Sequence, residues 1–217
     1  EVNLGLESGT ESLRFGVSGN ARIADVDAGR QTFQLQSLGL DVYGGYRMNN
    51  VFVNAALGVS NDDYKDIARL TSLSAIRHSA STKGVSTGAR LQAGVWFDMG
   101  GVAISPRAAL SYVNSDVDAY FEQGAAAQYS YADRTVTATT GEVSLRAEAD
   151  VAGFAVFAEG GYRDTISDDS DAVRVGIAGN TAQFLSRDFE QPFGGQVLAS
   201  AGVSGAMGPV KVELGYK

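Results

Sequence analysis

The sequence predicts an all-β fold, an antiparallel up-and-down transmembrane β-barrel of about ten strands. Three observations predict it. Apolar and polar residues alternate with period two through ten segments of the 217-residue chain. The connections between these segments alternate between tight turns and mostly longer polar stretches. No run approaches 18 consecutive apolar residues, which excludes a spanning helix and leaves a closed barrel as the other way across a membrane.

The first segment sets Val2, Leu4 and Leu6 against Asn3, Gly5 and Glu7. Alternation resumes over 13–23, 38–46 and 51–59. From Val85 one row reads Val85, Thr87, Ala89, Leu91, Ala93, Val95, Phe97, opposite Ser86, Gly88, Arg90, Gln92, Gly94, Trp96. The pattern continues over 102–112, then sets Val143, Leu145, Ala147 and Ala149 against Glu142, Ser144, Arg146, Glu148 and Asp150. Residues 154–162 and 197–203 follow, and the chain closes on Val210, Val212, Leu214 and Tyr216 against Lys211, Glu213, Gly215 and Lys217. Tight turns at 8–11, 48–50, 98–101, 150–153 and 207–209 hold the Gly, Asn, Asp and Pro that sharp reversals need. Polar connections fall at 27–31, 61–83, 115–134 and 164–192. Within one of them Ile67, Leu70, Leu73 and Ile76 recur at every third position. That spacing suits either a short amphipathic helix or a strand passing through a bulge.

Composition narrows the class. Gly accounts for 27 residues with no third-residue period, so the chain is not collagen-like, and 44% hydrophobic content excludes a linker. A net charge of -8 argues against a nucleic-acid partner. With no Cys there is no disulfide framework, thiolate metal site or Cys nucleophile. The first residues hold neither an initiator Met nor a signal pattern, and the chain reads as a mature or trimmed piece forming a single domain over 1–217.

A soluble barrel or sandwich with the apolar face inward would show the same periodicity. Three details favour lipid outside. The segments are long for soluble strands. The polar face mixes small residues with opposite charges, such as Arg146 with Glu148 and Glu159 with Arg163. Aromatics gather near the segment ends, which assigns Tyr46, Phe52, Phe97, Tyr112, Phe154 and Tyr162 to interfacial girdles. The polar face then lines the lumen. Its charged network is expected to comprise Arg14, Asp41, Arg47, Arg90, Arg107, Arg146, Glu148, Glu159, Arg163, Lys211 and Glu213. Facing lipid, each Arg or Lys would cost about 2–4 kcal/mol at the midplane.

Catalytic chemistry has little support. His78 is the only His and stands near Asp62, Asp63 and Asp66, a grouping that invites a His-Asp surface protease. A lone His in a Ser-rich loop is more simply a solvated residue. No G-x-S-x-G elbow and no phosphate-binding Gly loop is present. The acidic run 167–172 lacks the Gly and Glu of a calcium loop and reads as a solvated tip. No catalytic residue, metal or cofactor is expected.

The ordered set LGLDVYGGYRMNNVFVNAALGVSNDDY (38–64), GARLQAGVWFDMGGVAISPRAALSYVNSDVDAY (88–120), FAVFAEGGYR (154–163) and GPVKVELGYK (208–217) resembles the β-domain of bacterial autotransporters. The resemblance runs along nearly the whole chain. It implies a twelve-stranded outer-membrane barrel that exports an N-terminal passenger by type V secretion and anchors it at the cell surface, with no enzymatic role of its own. Implied partners are outer-membrane lipid and lipopolysaccharide, the passenger and the barrel-assembly machinery. Matched to that pattern, the chain shows the second to eleventh strands and is expected to be a piece without the first and last. The competing functions are a pore or surface barrel without a passenger, and a ten-stranded surface protease.

Overall fold

The computed structural model describes residues 2–10, 12–27, 31–70, 77–124, 128–177, 184–187, 195–207 and 210–216. Along the chain they form β1 (Val2–Gly9), β2 (Leu13–Asp27), β3 (Gln31–Met48), β4 (Val51–Leu70), β5 (Arg77–Val95), β6 (Phe97–Asp98), β7 (Val102–Val117) and β8 (Tyr120–Phe121). Then come β9 (Tyr129–Tyr131), β10 (Arg134–Val151), β11 (Phe154–Ser170), β12 (Val173–Ile177), β13 (Phe184–Arg187), β14 (Gln196–Met207) and β15 (Val210–Tyr216). Ten of these form an antiparallel path in the order β1-β2-β3-β4-β5-β7-β10-β11-β14-β15, and β6 continues β5 along β7 in the same register. The result is a curled, half-barrel meander.

The burial pattern is inverted relative to a water-soluble protein. Among the described residues the buried apolar set is only Phe52, Ile67, Ala109, Val117 and Phe157, whereas Leu40, Leu57, Leu91 and Leu145 stand exposed, Leu6 at 79% and Val197 at 84%. A continuous apolar exterior of this kind is a lipid-facing surface, not the skin of a soluble sandwich. On each long strand it covers about nine to eleven residues, the length that crosses a bilayer when tilted. It runs over 51–59 on β4 and 85–95 on β5, with 143–151 on β10 and 154–162 on β11. The strands continue well past this belt on the side away from the tight turns.

That continuation corrects the reading of 61–83 as a loop. β4 runs to Leu70 and β5 starts at Arg77, so most of the segment is paired strand. The register shifts between Tyr64 and Ile67, with Asp66 in the left-handed region at φ 52°. One extra residue in β4 is therefore a bulge, which selects the strand alternative for Ile67 and Leu70; Leu73 and Ile76 lie outside the described residues. The other polar connections are also partly built: 115–134 contains β8 and β9, and 164–192 contains the end of β11 with β12 and β13. The acidic run 167–172 belongs largely to β11, and Asp171 closes it by accepting the Thr135 N–H at 2.8 Å.

The tight turns rest on left-handed residues: Asn49 at φ 54°, Gly100 and Gly101 at 71° and 101°, and Ala152 and Gly153 at 55° and 83°. Asp150 accepts the Gly153 N–H at 3.1 Å. Of the turns at 8–11 and 207–209, Glu11, Gly208 and Pro209 lie outside the described residues. Asn49 and Ala152 are the non-Gly residues among these; Asn tolerates the left-handed region, whereas at Ala152 it costs about 1–2 kcal/mol. Replacing Ala152→Gly is expected to raise the midpoint of urea unfolding in detergent by an amount equivalent to about 1 kcal/mol, whereas Gly153→Ala lowers it.

Candidate functional site

The concave face of the meander carries the charged side chains, and strand register decides which of them meet. Glu142 on β10 lies directly opposite Arg163 on β11, and Arg146 lies opposite Glu159. Arg163 accordingly donates to Glu142 at 2.7 Å. From the other side Arg90 on β5 reaches across β7 to the same carboxylate at 2.9 Å, while its second nitrogen donates to Ser111 Oγ at 3.0 Å. The residue that it crosses, opposite Glu142 on β7, is the small and buried Ala109. Glu159 accepts the Ser144 hydroxyl at 2.7 Å and faces Arg107 at 3.6 Å and Arg146 at 3.9 Å. Arg146 also bonds Glu148 at 3.0 Å.

Aromatic rings complete this wall. Arg146 lies 3.8 Å over the Phe157 ring, and Arg107 stacks over Phe52 and Trp96 at 5.4 and 5.1 Å. Each guanidinium thus pairs its edge with carboxylates and its flat face with an apolar ring, the geometry that a weakly hydrated planar cation favours. Gly94 makes room for this layer, since a Cβ there would come within 2.6 Å of the Phe52 ring.

The expected lumen set is partly brought together. Arg90 and Arg163 meet on Glu142, and Arg107, Arg146, Glu148 and Glu159 gather in a second cluster on the same face. The pairing of Glu159 with Arg163 is not made. Four residues apart on an extended strand they are separated by roughly 13 Å, and each takes a partner across the ladder instead. Arg14 stands apart with Glu7 at 3.4 Å in an exposed pair, Asp41 accepts from Asn20 at 2.6 Å, and Arg47 bonds the carbonyl of Asn49 at 3.0 Å. Lys211 and Glu213 lie on β15, and their side chains fall outside the described ones.

Of the aromatic set, Tyr46, Phe97, Tyr112, Phe154 and Tyr162 stand half-exposed with the outward-facing side chains. Phe52 is a correction. It shares the parity of Asn54 and Ala56, is only 7% exposed and packs against Trp96 at 6.3 Å, so it lines the lumen rather than the interface.

A second polar cluster, not foreseen from the sequence, lies beyond the apolar belt. Glu122 is 3% exposed and accepts four hydrogen bonds: Arg69 Nε and Nη2 at 2.6 and 2.7 Å, the Tyr129 N–H at 3.1 Å and the Tyr131 hydroxyl at 3.2 Å. His78 corrects the expectation of a solvated loop residue. It sits on β5 with 0% exposure, 4.0 Å from Glu122, and neither ring nitrogen makes a hydrogen bond. Fully buried, and hydrogen-bonded to no acid among the described residues, it lacks the open access to water and the oriented partner that a general base requires. Asp62, also buried, accepts from Ser37, Ser60 and Ser86 and is no partner of His78.

The family model for the autotransporter β-domain matches residues 2–217. The chain belongs to the autotransporter β-domain family. Among solved structures it is similar to the translocator domain of the autotransporter NalP from Neisseria meningitidis, with 15% identity, a TM-score of 0.75, and coverage of 95% of this chain and 69% of that one. Likenesses to the ferric preacinetobactin receptor BauA of Acinetobacter baumannii (12% identity, 94% and 36% coverage, TM-score 0.40) and the ferric yersiniabactin receptor FyuA of Yersinia pestis (12%, 95% and 35%, 0.47) are too slight to bear on the fold. No curated protein matches significantly. As an autotransporter β-domain the chain is a non-enzymatic translocator of the bacterial outer membrane, serving the export of its own passenger.

Two outcomes follow from these clusters. Glu142→Gln leaves Arg90 and Arg163 facing a neutral amide on the lumen wall. It is expected to cost the autotransporter β-domain about 1–3 kcal/mol, seen as a lower temperature for the shift between folded and unfolded bands on gels, while Arg14→Ala leaves that temperature nearly unchanged. At Glu122, burial pushes the carboxyl up, but the bonds from Arg69, Tyr129 and Tyr131 outweigh it and hold the group below the usual carboxylate range. A depressed acid contributes stability that is present above its unfolded value, about 4.3, and lost as pH falls through the folded one. The protection factors for hydrogen exchange at Tyr129–Tyr131, rates corrected for the intrinsic effect of pH, should therefore stay high at neutral pH and fall in acid.

Proposed function

We propose that the charged inner wall is a conduit lining for an unfolded polypeptide during passenger export. The observation that carries this reading is the internal satisfaction of the lumen charges. Arg90, Arg107, Arg146 and Arg163 each already hold a carboxylate contributed by the wall itself. A wall so paired stays hydrated and offers a passing chain many weak, exchangeable bonds in place of a few tight ones. Small residues on the same face, Gly88, Ala56 and Gly161 among them, leave width for an extended or helical segment. Toward the tight-turn end the wall recedes into a hollow of about 510 Å³ lined by Arg14, Tyr43, Arg47, Asn54 and Arg107. Its excess of guanidinium groups suits the seating of a segment with acidic or carbonyl-rich surface.

In this reading 1–217 acts as one membrane-anchored domain. The exposed apolar belt must be delivered to lipid without aggregating, which is the task of barrel-assembly machinery. Outward-facing Lys65 and Lys83 stand just past the belt, where they can meet the phosphates of lipopolysaccharide.

In cells expressing the full reading frame, an epitope inserted upstream of Glu1 is expected to become accessible to added protease on intact cells. An epitope that remains protected while the barrel is folded in the outer membrane overturns the reading. Arg146→Ala, which uncovers Phe157 and frees Glu148, should leave membrane insertion intact but lower the thermal midpoint of the barrel.

A further inference from the structure

The wall does not end where the apolar belt ends. β8, β9 and β12 extend β7, β10 and β11 outward, because pairing resumes in unchanged register after short breaks at 118–119, 132–133 and 171–172. Val117 opposite Arg134 is continued by Tyr120 opposite Tyr131, and Val136 opposite Ser170 by Tyr131 opposite Val175. β8 also stays beside β5, with Ser79 and Gln123 exchanging both backbone hydrogen bonds at 3.0 and 2.8 Å.

The side chains that tie this collar together lie on its lumen side. His78 has the parity of Arg90 on the uninterrupted β5 and so belongs to the inner face. The bulge at Asp66 turns Ile67 and Arg69 to that same face, on which a regular β4 would have placed Ala68 and Leu70. Arg69 there reaches across β5 to Glu122 and lies 4.4 Å over the Tyr129 ring of β9. In a flat sheet, β4 and β9 would lie roughly 14 Å apart across β5 and β8. The Arg69 side chain and the Tyr129 ring reach toward each other over the concave face to close that span. Beneath the bridge, His78 at 0% exposure and Ile67 at 7% form a dry floor. All four acceptor positions of Glu122 are in use, so the imidazole fills space rather than tying the collar together.

We propose that the collar is a latched gate at the outer mouth of the pore, with the Arg69–Glu122 pair as its catch and the three strand breaks, each spanned by a single backbone hydrogen bond from Asp118, Ala132 or Asp171, as the weak points at which it bends. Closed, it narrows the exit; released, the wall swings back and widens it. The proposal rests on the conduit reading for its purpose but not for its mechanics.

The test uses the full chain reconstituted in planar bilayers and, in parallel, limited chymotrypsin digestion with cut sites read by mass spectrometry. Glu122→Gln is expected to raise mean pore conductance and to speed cutting at Tyr120, Phe121, Tyr129 and Tyr131 by roughly tenfold or more, as loss of charge-assisted bonds implies. His78→Leu, which keeps the floor filled and apolar, should behave as the parent protein in both assays. Because the chain has no Cys of its own, Ser79→Cys with Gln123→Cys provides a specific lock. In the Glu122→Gln background that disulfide should restore parental conductance and protection, and a reductant should release both. Unchanged cutting in Glu122→Gln, or opening by His78→Leu, overturns the latch. Faster cutting without a change in conductance keeps the latch but overturns the gate. A parent protein that conducts nothing under any condition counts against the conduit, and the digestion arm still decides the latch.

Discussion

Strand parity is the constraint on which the rest of this molecule depends. Inside a bilayer every backbone N–H and C=O must find a partner on a neighbouring strand, so the chain can only run as a paired meander. Side chains then alternate strictly between lipid and lumen. A slip of one residue would carry a strand's whole polar row, arginines included, onto the lipid side. The described register shifts accordingly fall outside the apolar belt: between Thr32 and Gln34, between Tyr64 and Ile67, and between Thr139 and Thr140. Within the belt no described ladder changes register; the β5–β7 ladder only skips Val95 and Trp96, opposite Pro106, and resumes in the same register at Phe97.

The lumen network follows from that parity. Once the charged residues of β5, β7, β10 and β11 are forced onto one concave face, curvature draws their tips together, and the ladder decides the partners. Arg90 and Arg163 converge on Glu142 from opposite sides, and Arg107 and Arg146 on Glu159. The aromatic rings of Phe52, Trp96 and Phe157 lie flat among them because small neighbours such as Gly94 leave the space. Outside the membrane the same chemistry serves cohesion. Arg69 and Glu122 bind two parts of the wall over a dry floor, where lipid no longer holds the sheet in place.

Much of this was legible along the chain. Period-two rows located the ten long strands, and Gly, Asn and Asp located the turns, because both are local effects of backbone geometry. Legibility faded where pairing outran hydrophobicity. Residues 61–70 and 77–83 are mostly polar and show no sustained two-residue alternation, so nothing in their composition separates a water-exposed strand from a loop. His78 looked solvated for the same reason, since its burial comes from Glu122 and Gly124, more than forty positions away along the chain. Phe52 was misassigned by its nearness to a turn, although its own row, with Asn54 and Ala56, pointed to the lumen.

By itself, then, the sequence determined the barrel class, the strand count, the lipid-facing rows and the family, all of which follow from period-two alternation and local turn chemistry. The tertiary structure alone decided which charges meet, that the strands outlast the membrane, and that one bulge at Asp66 turns Arg69 inward toward Glu122. The physical reason is that alternation assigns each side chain a face, but only the register between strands and the curl of the sheet assign it a neighbour.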